Sequence, residues 1–229
     1  MKIKNTILNE LTNLAEDDYK KFNDRIIPTN QKTLGVRVPI LRKIAKRIAK
    51  KEAIEFVKLN KQNIYEMILL EGLVLSYMDK SFVDILPLTE NFLLKVDNWA
   101  QIDSTVCNFK GIEKEKEDVF QTVKTWLESE KEFIVRAGLI ILLAHYVKEE
   151  NINMIFTLSQ KVKHTGYYVY MGNAWLISVC MAKFPVETIR FFEENTLDKR
   201  THNKAIQKSR ESYRVSKEHK DLMKNLKRK

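Results

Sequence analysis

Apolar positions recur at helical spacing along nearly the whole chain. Ile40, Leu41, Ile44 and Ile48 mark one face of a helix whose first turn is opened by Pro39. Lys43, Lys46, Arg47 and Lys50 follow at i, i+3, i+4 and i+7, so four cations share the opposite face. Val119, Phe120, Val123, Trp126 and Leu127 make a second stripe, and Met154, Ile155, Leu158 and Val162 a third. Segments 66–78 and 133–147 are apolar nearly all round. Helices of that kind must be covered on both sides, as the inner helices of a stacked array are. Breaks fall near 32–35, 79–81, 97, 108–111, 129–131, 149–151, 165–166, 184–185 and 198. Helices alternate with short connections, and no run alternates with period two.

Composition sharpens this picture. Only 6 Gly and 4 Pro occur among 229 residues, which disfavours turn-rich sandwiches and barrels. The 44% hydrophobic content supports a substantial core. Outer and inner helices recur at about 35–40 residues, close to the repeat length of HEAT and armadillo arrays. The expectation is an all-α, HEAT-like helical-repeat solenoid, with residues 1–229 as a single domain because no linker composition interrupts them. Acids and amides break up the amino terminus, so no signal peptide is expected. The longest uncharged apolar stretch, 137–144, is too short for a bilayer, which needs about 20 residues. Cys107 and Cys180 lie in apolar helical contexts and read as buried, inert thiols, neither a disulfide framework nor a metal set. A cytoplasmic, monomeric protein with no membrane partner is expected.

Charge placement says more than the net +10. Residues 199–229 carry twelve Lys or Arg against three acids, whereas the first 198 residues carry 28 basic and 27 acidic groups. Within that balanced body, 31–51 holds eight cations and no acid. Two basic blocks on a neutral body suit a polyanion-binding surface. A solvated helix face with a frayed basic tail is the alternative reading of the same blocks.

There is no Gly-rich phosphate loop, no G-x-S-x-G elbow and no H-E-x-x-H pair. The four histidines are scattered and read as structural or solvated. Glu66 and Glu71, inside an apolar helix, read as acids whose tips escape to a repeat edge. Three features remain. Trp99 and Asp103 stand at i, i+4 on one helical face. Arg136 interrupts an apolar run, and its guanidinium must meet a carboxylate, carbonyls or a phosphate. Trp175 follows the aromatic helix start Tyr167-Tyr168-Val169-Tyr170.

The order Trp99-x3-Asp103, then Arg136, then Trp175 resembles the AlkD-type alkylpurine DNA glycosylases. The early L-G-V-R-V-P-I-L-R-K, from Leu34 to Lys43, and the late N-K-A-I-Q-K beginning at Asn203 are also similar to that family. The similarity runs roughly from Asp18 to Lys229, while 26–33 and the pair Gly172-Asn173 depart from the family pattern. The resemblance implies HEAT-like helical pairs curved so that a basic concave face holds duplex DNA. It implies excision of cationic N3- and N7-alkylated purines by a monofunctional glycosylase, without metal or other cofactor. Asp103 would be the catalytic carboxylate, Trp99 and Trp175 would flank the lesion's deoxyribose, and Arg136 would contact the adjacent backbone. DNA contacts are expected from Arg37, Arg42, Lys43, Lys46, Arg47 and Lys50, and from Lys204, Lys208, Arg210 and Arg214.

The 33 residues from Asp103 to Arg136 and the 39 from Arg136 to Trp175 each approximate one repeat. All four side chains are therefore expected in one cleft, whereas tryptophans serving only as packing residues would lie inside the repeat cores. Two other functions remain open at this point: a non-catalytic array binding damaged or branched DNA, and a helical scaffold for an acidic protein partner.

Overall fold

The computed structural model describes residues 2–60 and 63–229, and among them it is all-helical, with no strand and one isolated parallel bridge between Lys32 and Ile64. The helices are α1 (Lys2–Asn13), α2 (Asp17–Ile26), α3 (Val38–Lys51), α4 (Ala53–Leu59), α5 (Tyr65–Tyr77), α6 (Phe82–Leu93) and α7 (Trp99–Val106). They continue as α8 (Lys116–Leu127), α9 (Glu132–Ile141), α10 (Ile152–Lys161), α11 (Tyr167–Lys183), α12 (Pro185–Glu194), α13 (Lys199–Glu211) and α14 (Lys217–Leu222). Backbone contacts divide the chain into two compact units, one up to Val119 and one from Phe120 to Lys229.

In the first unit α5 packs between α3 and α7, with α4 and α6 as its other neighbours. Every residue of α5 from Tyr65 to Ser76 is buried, as its all-round apolar sequence requires. The α3 stripe behaves as its spacing predicts: Leu41, Ile44, Ala45 and Ile48 are buried, and Pro39 stands in the first turn. Two glycines are dictated by geometry. Gly35 adopts φ +99°, which bends the loop before α3 against α2, and a Cβ there would lie 2.6 Å from the Glu16 carbonyl. A Cβ on Gly72 would lie 2.5 Å from both Phe92 and Thr105, so this glycine lets α5 approach α6 and α7 closely.

Glu66 and Glu71 do not reach an edge, contrary to the sequence reading; they are 1% and 0% exposed. The Glu66 carboxylate accepts from the backbone N–H groups of Leu34, Gly35 and Val36 and so fixes the loop that launches α3. Glu71 accepts from Lys95 at 2.7 Å and from Asn60 at 2.7 Å. Burial raises the Glu71 carboxyl's affinity for its proton, and Lys95 opposes that shift. Both acids are buried because donors on distant loops satisfy them, and helical periodicity cannot show those donors.

The second unit repeats the layout, with α11 packed between α9 and α13 and with α10 and α12 as further neighbours. Helix α9 passes into a π-turn at Leu142–Tyr146, an irregularity the apolar run did not signal. Asp198 caps α13 by accepting from the Thr201 N–H, and Ser216 caps α14 through His219. The basic end of the chain is docked rather than frayed. Met223 is fully buried, the Arg228 guanidinium donates to the carbonyls of Leu197 and Asn195, and Asn203 exchanges two 2.9 Å hydrogen bonds with the Arg228 backbone. Among the described residues no helix is long and apolar enough to cross a membrane.

Candidate functional site

Helix α7 is fastened from behind. Asp97 accepts from the Thr29 hydroxyl at 2.7 Å and from the Asn30 N–H at 2.7 Å, and Asn98 caps the helix by accepting from the Gln101 N–H. The buried Gln101 amide donates to Gln31 at 2.6 Å and to the Tyr65 carbonyl at 3.2 Å. With Gln101, Ile102, Thr105 and Val106 buried, the other face of α7 carries Trp99 and Asp103 at i, i+4, and Cys107 follows one turn on at the helix's C-terminal cap. Trp99 is 36% exposed, and Asp103 and Cys107 are half-buried. Cys107 therefore departs from the expected burial. Cys180 matches it, and burial pushes that thiol up to about 12, which keeps it protonated and inert.

Arg136 and Trp175 belong to the second unit, where the start of α11 is held by a bracket from α9. Glu132 accepts from the Tyr168 N–H at 2.6 Å, and Arg136, one turn later, donates to the Tyr168 carbonyl at 2.8 Å. Tyr168 also packs on Phe133, their ring centroids 5.2 Å apart. Arg136 is buried, 5% exposed, and lies against Gly172, where a Cβ would come within 3.3 Å of its guanidinium. Residues 168, 172 and 175 form one stripe of α11, so the bracket sets the azimuth of Trp175 from about 10 Å along the axis. Asn173, on the adjacent face, exchanges hydrogen bonds with Ser159 of α10. The pair Gly172-Asn173 thus has a local purpose: room for the arginine, and a tie to α10.

The half-buried indole of Trp175 lines a cleft of about 630 Å³ with Ser178, Lys183, Lys208, Glu211 and Arg214. The fold thus brings Trp175 together with Lys208 and Arg214, two of the cations expected at DNA. Of the three tryptophans only Trp126 is core, at 3% exposure. The model of the DNA alkylation repair enzyme family matches residues 7–225. The chain belongs to this family. No curated protein matches the chain. Membership makes DNA the partner and alkylation damage the business of this DNA alkylation repair enzyme.

The basic blocks carry contacts that sequence order concealed. Arg37 donates to Glu16 at 2.9 Å and lies 4.8 Å over the Tyr19 ring, and Arg47 pairs with Glu10. The acids absent from 31–51 are thus supplied by the preceding helical segments, and Arg37 holds the Glu16 carboxyl below its usual range. Arg42 donates to the Tyr77 hydroxyl, while Lys43, Lys46 and Lys50 stay exposed. In the second unit Lys204 donates to Gln207, and Arg214 is exposed. Arg210 is half-buried, its Nε buried without a hydrogen-bond partner. Sequence reading missed the Glu132–Tyr168–Arg136 bracket. The i, i+4 spacing of Glu132 and Arg136 was the available signal.

Proposed function

We propose that this DNA alkylation repair enzyme is a monofunctional glycosylase that releases cationic N3- and N7-alkylated purines from duplex DNA. An alkylated purine of this kind carries its positive charge on the base. When the bond to the sugar breaks, the base leaves with the bonding electron pair as a neutral molecule, so no general acid is required. The barrier lies in positive charge growing on the deoxyribose. In this reading the Asp103 carboxylate opposes that charge and orients the water that adds to the sugar carbon, while Trp99, one turn away, offers an aromatic face to the cation, and Trp175 serves the DNA from its own basic cleft. Arg136 acts as a positioning residue: its burial suits holding the α11 start better than reaching a phosphate. The chain works on DNA as a monomer.

The observation that carries the reading is the division among the tryptophans. A tryptophan kept out of the core forgoes much of the largest burial gain any side chain offers. Trp126 takes that gain; Trp99, one turn from Asp103, and Trp175, in a basic cleft, do not. The test is incubation of purified protein with methylated genomic DNA, followed by mass spectrometry of the released bases. Liberation of 3-methyladenine or 7-methylguanine is expected. Binding without any released base would replace this reading with a non-catalytic damage-binding role.

A further inference from the structure

The two ends of one interhelical groove in the second unit carry different clefts. At one end α11 and α13 contribute Trp175 and Lys208, joined by Arg214 from the turn after α13. At the other they contribute Tyr170, Lys199, Arg200, Asn203 and Lys204, joined by Lys227 from the end of the chain, around a cleft of about 480 Å³. Early residues of α11 meet early residues of α13 and late meet late, so the helices run side by side in the same direction. The geometry points to this second cleft as a phosphodiester-binding site, a station for the DNA strand away from the lesion.

Four observations carry it. Lys199, Arg200, Lys204 and Lys227 line the cleft, and no carboxylate does. The nearest acid in the sequence, Asp198, caps α13 through the Thr201 N–H and also interacts with the Arg200 charge, so four cations stand against one carboxylate at the cleft's edge. The Arg200 guanidinium carbon lies 3.7 Å from the centroid of the Tyr170 ring, a contact that restrains the side chain while its N–H donors remain suited to phosphate oxygens. Lys227 is delivered rather than drifting: on one side Leu226 offers its carbonyl to His202 at 2.7 Å, and on the other Arg228 is bound to Asn203, Asn195 and Leu197. Like charges gathered this way repel one another, and an anion placed among them relieves the repulsion.

Family membership supplies the anion's source, DNA, and the inference needs only that, not the excision chemistry. Arg200 and Lys208 are eight residues apart on α13, about 12 Å along its axis. With a rise of about 3.4 Å per nucleotide along one strand, the cleft would take phosphates three to four nucleotides from those beside Trp175.

The test compares the full-length protein with the triple variant Lys199→Gln/Arg200→Gln/Lys227→Gln, and with Lys199→Arg/Lys227→Arg, which keeps the charge. Affinity for a 20-base-pair duplex is read by fluorescence anisotropy from 50 to 200 mM salt. The triple variant is expected to bind more weakly, with a log K against log [salt] slope flatter by about 2, as loss of two phosphate contacts requires. The charge-keeping variant should retain the wild-type slope, and matching melting temperatures show that the Arg228 and Asn203 anchors are intact. Wild-type slope and affinity in the triple variant would overturn the cleft. So would a charge-keeping variant as weak as the triple one. Failure of base release alongside a normal triple-variant effect would remove the glycosylase reading and leave the cleft standing.

Discussion

Asp103→Asn isolates the charge on which the proposed chemistry depends. The substitution is close to isosteric, and Asp103 is half-buried on the face of α7 opposite the Gln101–Gln31 fastening, so that fastening and the Asn98 cap are left in place. The expected effect follows from Coulomb's law. A half-buried carboxylate about 4 Å from a developing unit charge, at an effective dielectric near 20, contributes about 4 kcal/mol. Losing it slows base release by about 10³-fold, since each 1.36 kcal/mol is a factor of ten. That agrees with the 10²–10³ typical of removing one preorganised electrostatic group. Single-turnover release of 7-methylguanine from a defined duplex, with enzyme in excess, separates this step from binding, and anisotropy on the same duplex should show affinity little changed. A variant that releases base at the wild-type rate removes Asp103 from the mechanism. One that loses duplex affinity and rate in parallel assigns it to binding.

Replacing Lys43, Lys46, Arg47 and Lys50 together with Gln should weaken all duplexes alike and flatten the salt slope. The change should be smaller than four contacts would give, because Arg47 already pairs with Glu10; an unchanged slope would turn this face away from DNA. Burial holds the His202 imidazole below its ordinary value, with the Arg228 charge adding to the shift, so the native state prefers it neutral. The unfolded chain takes up that proton first, near pH 6.5. Stability present above that pH is therefore lost as pH falls through and below it. A His202→Gln variant should show a smaller drop in melting temperature between pH 7.5 and 5.5; an identical drop would exclude this histidine as the cause. Gly72→Ala sets a methyl group against Phe92 and Thr105 and should cost about 1–3 kcal/mol. That corresponds to a melting temperature lower by about 2–12 °C in calorimetry, and an unchanged value would mean that α5 yields without strain.

The inner helices were legible because burial on all sides leaves a mark at every position. Segment 66–78 matches α5 to within one residue at each end, and its apolar residues had nowhere to go but between α3 and α7. The α7 pair was legible for the same local reason, since i, i+4 spacing fixes which side chains share a face before any partner is known. What stayed hidden was non-local. Glu66 looks like an acid in the wrong place until the Leu34–Val36 N–H groups are folded onto it. The basic run 31–51 looks uncompensated until Glu10 and Glu16 arrive from the preceding segments. The tail looks frayed until Arg228 finds the carbonyls of Leu197 and Asn195. In each case a charged side chain reads as exposed in one dimension and is satisfied in three.

The same distinction bears on which charges serve DNA. A cation held by a protein carboxylate has part of its field already cancelled, so Arg37 and Arg47 add less to phosphate attraction than their count suggests. A cation oriented by a neutral group keeps its field and loses conformational freedom in advance. Lys46 over Tyr77 and Arg42 on the Tyr77 hydroxyl are of this second kind, and Arg200 over Tyr170 approaches it, with Asp198 close enough for its charge to be felt. Ordering a long basic side chain costs about 1–2 kcal/mol of rotamer freedom, and aromatic partners have met part of that cost before DNA arrives. The contribution of each basic residue to affinity should therefore follow its partner rather than its exposure. Arg200 and Arg37 are both exposed and both lie over an aromatic ring, but Arg37 is also hydrogen-bonded to Glu16, so Arg200→Gln should cost more DNA affinity than Arg37→Gln. Single-variant titrations at fixed salt order the two: a larger loss at Arg37 than at Arg200 would show that pairing with a carboxylate does not reduce what a cation contributes to binding.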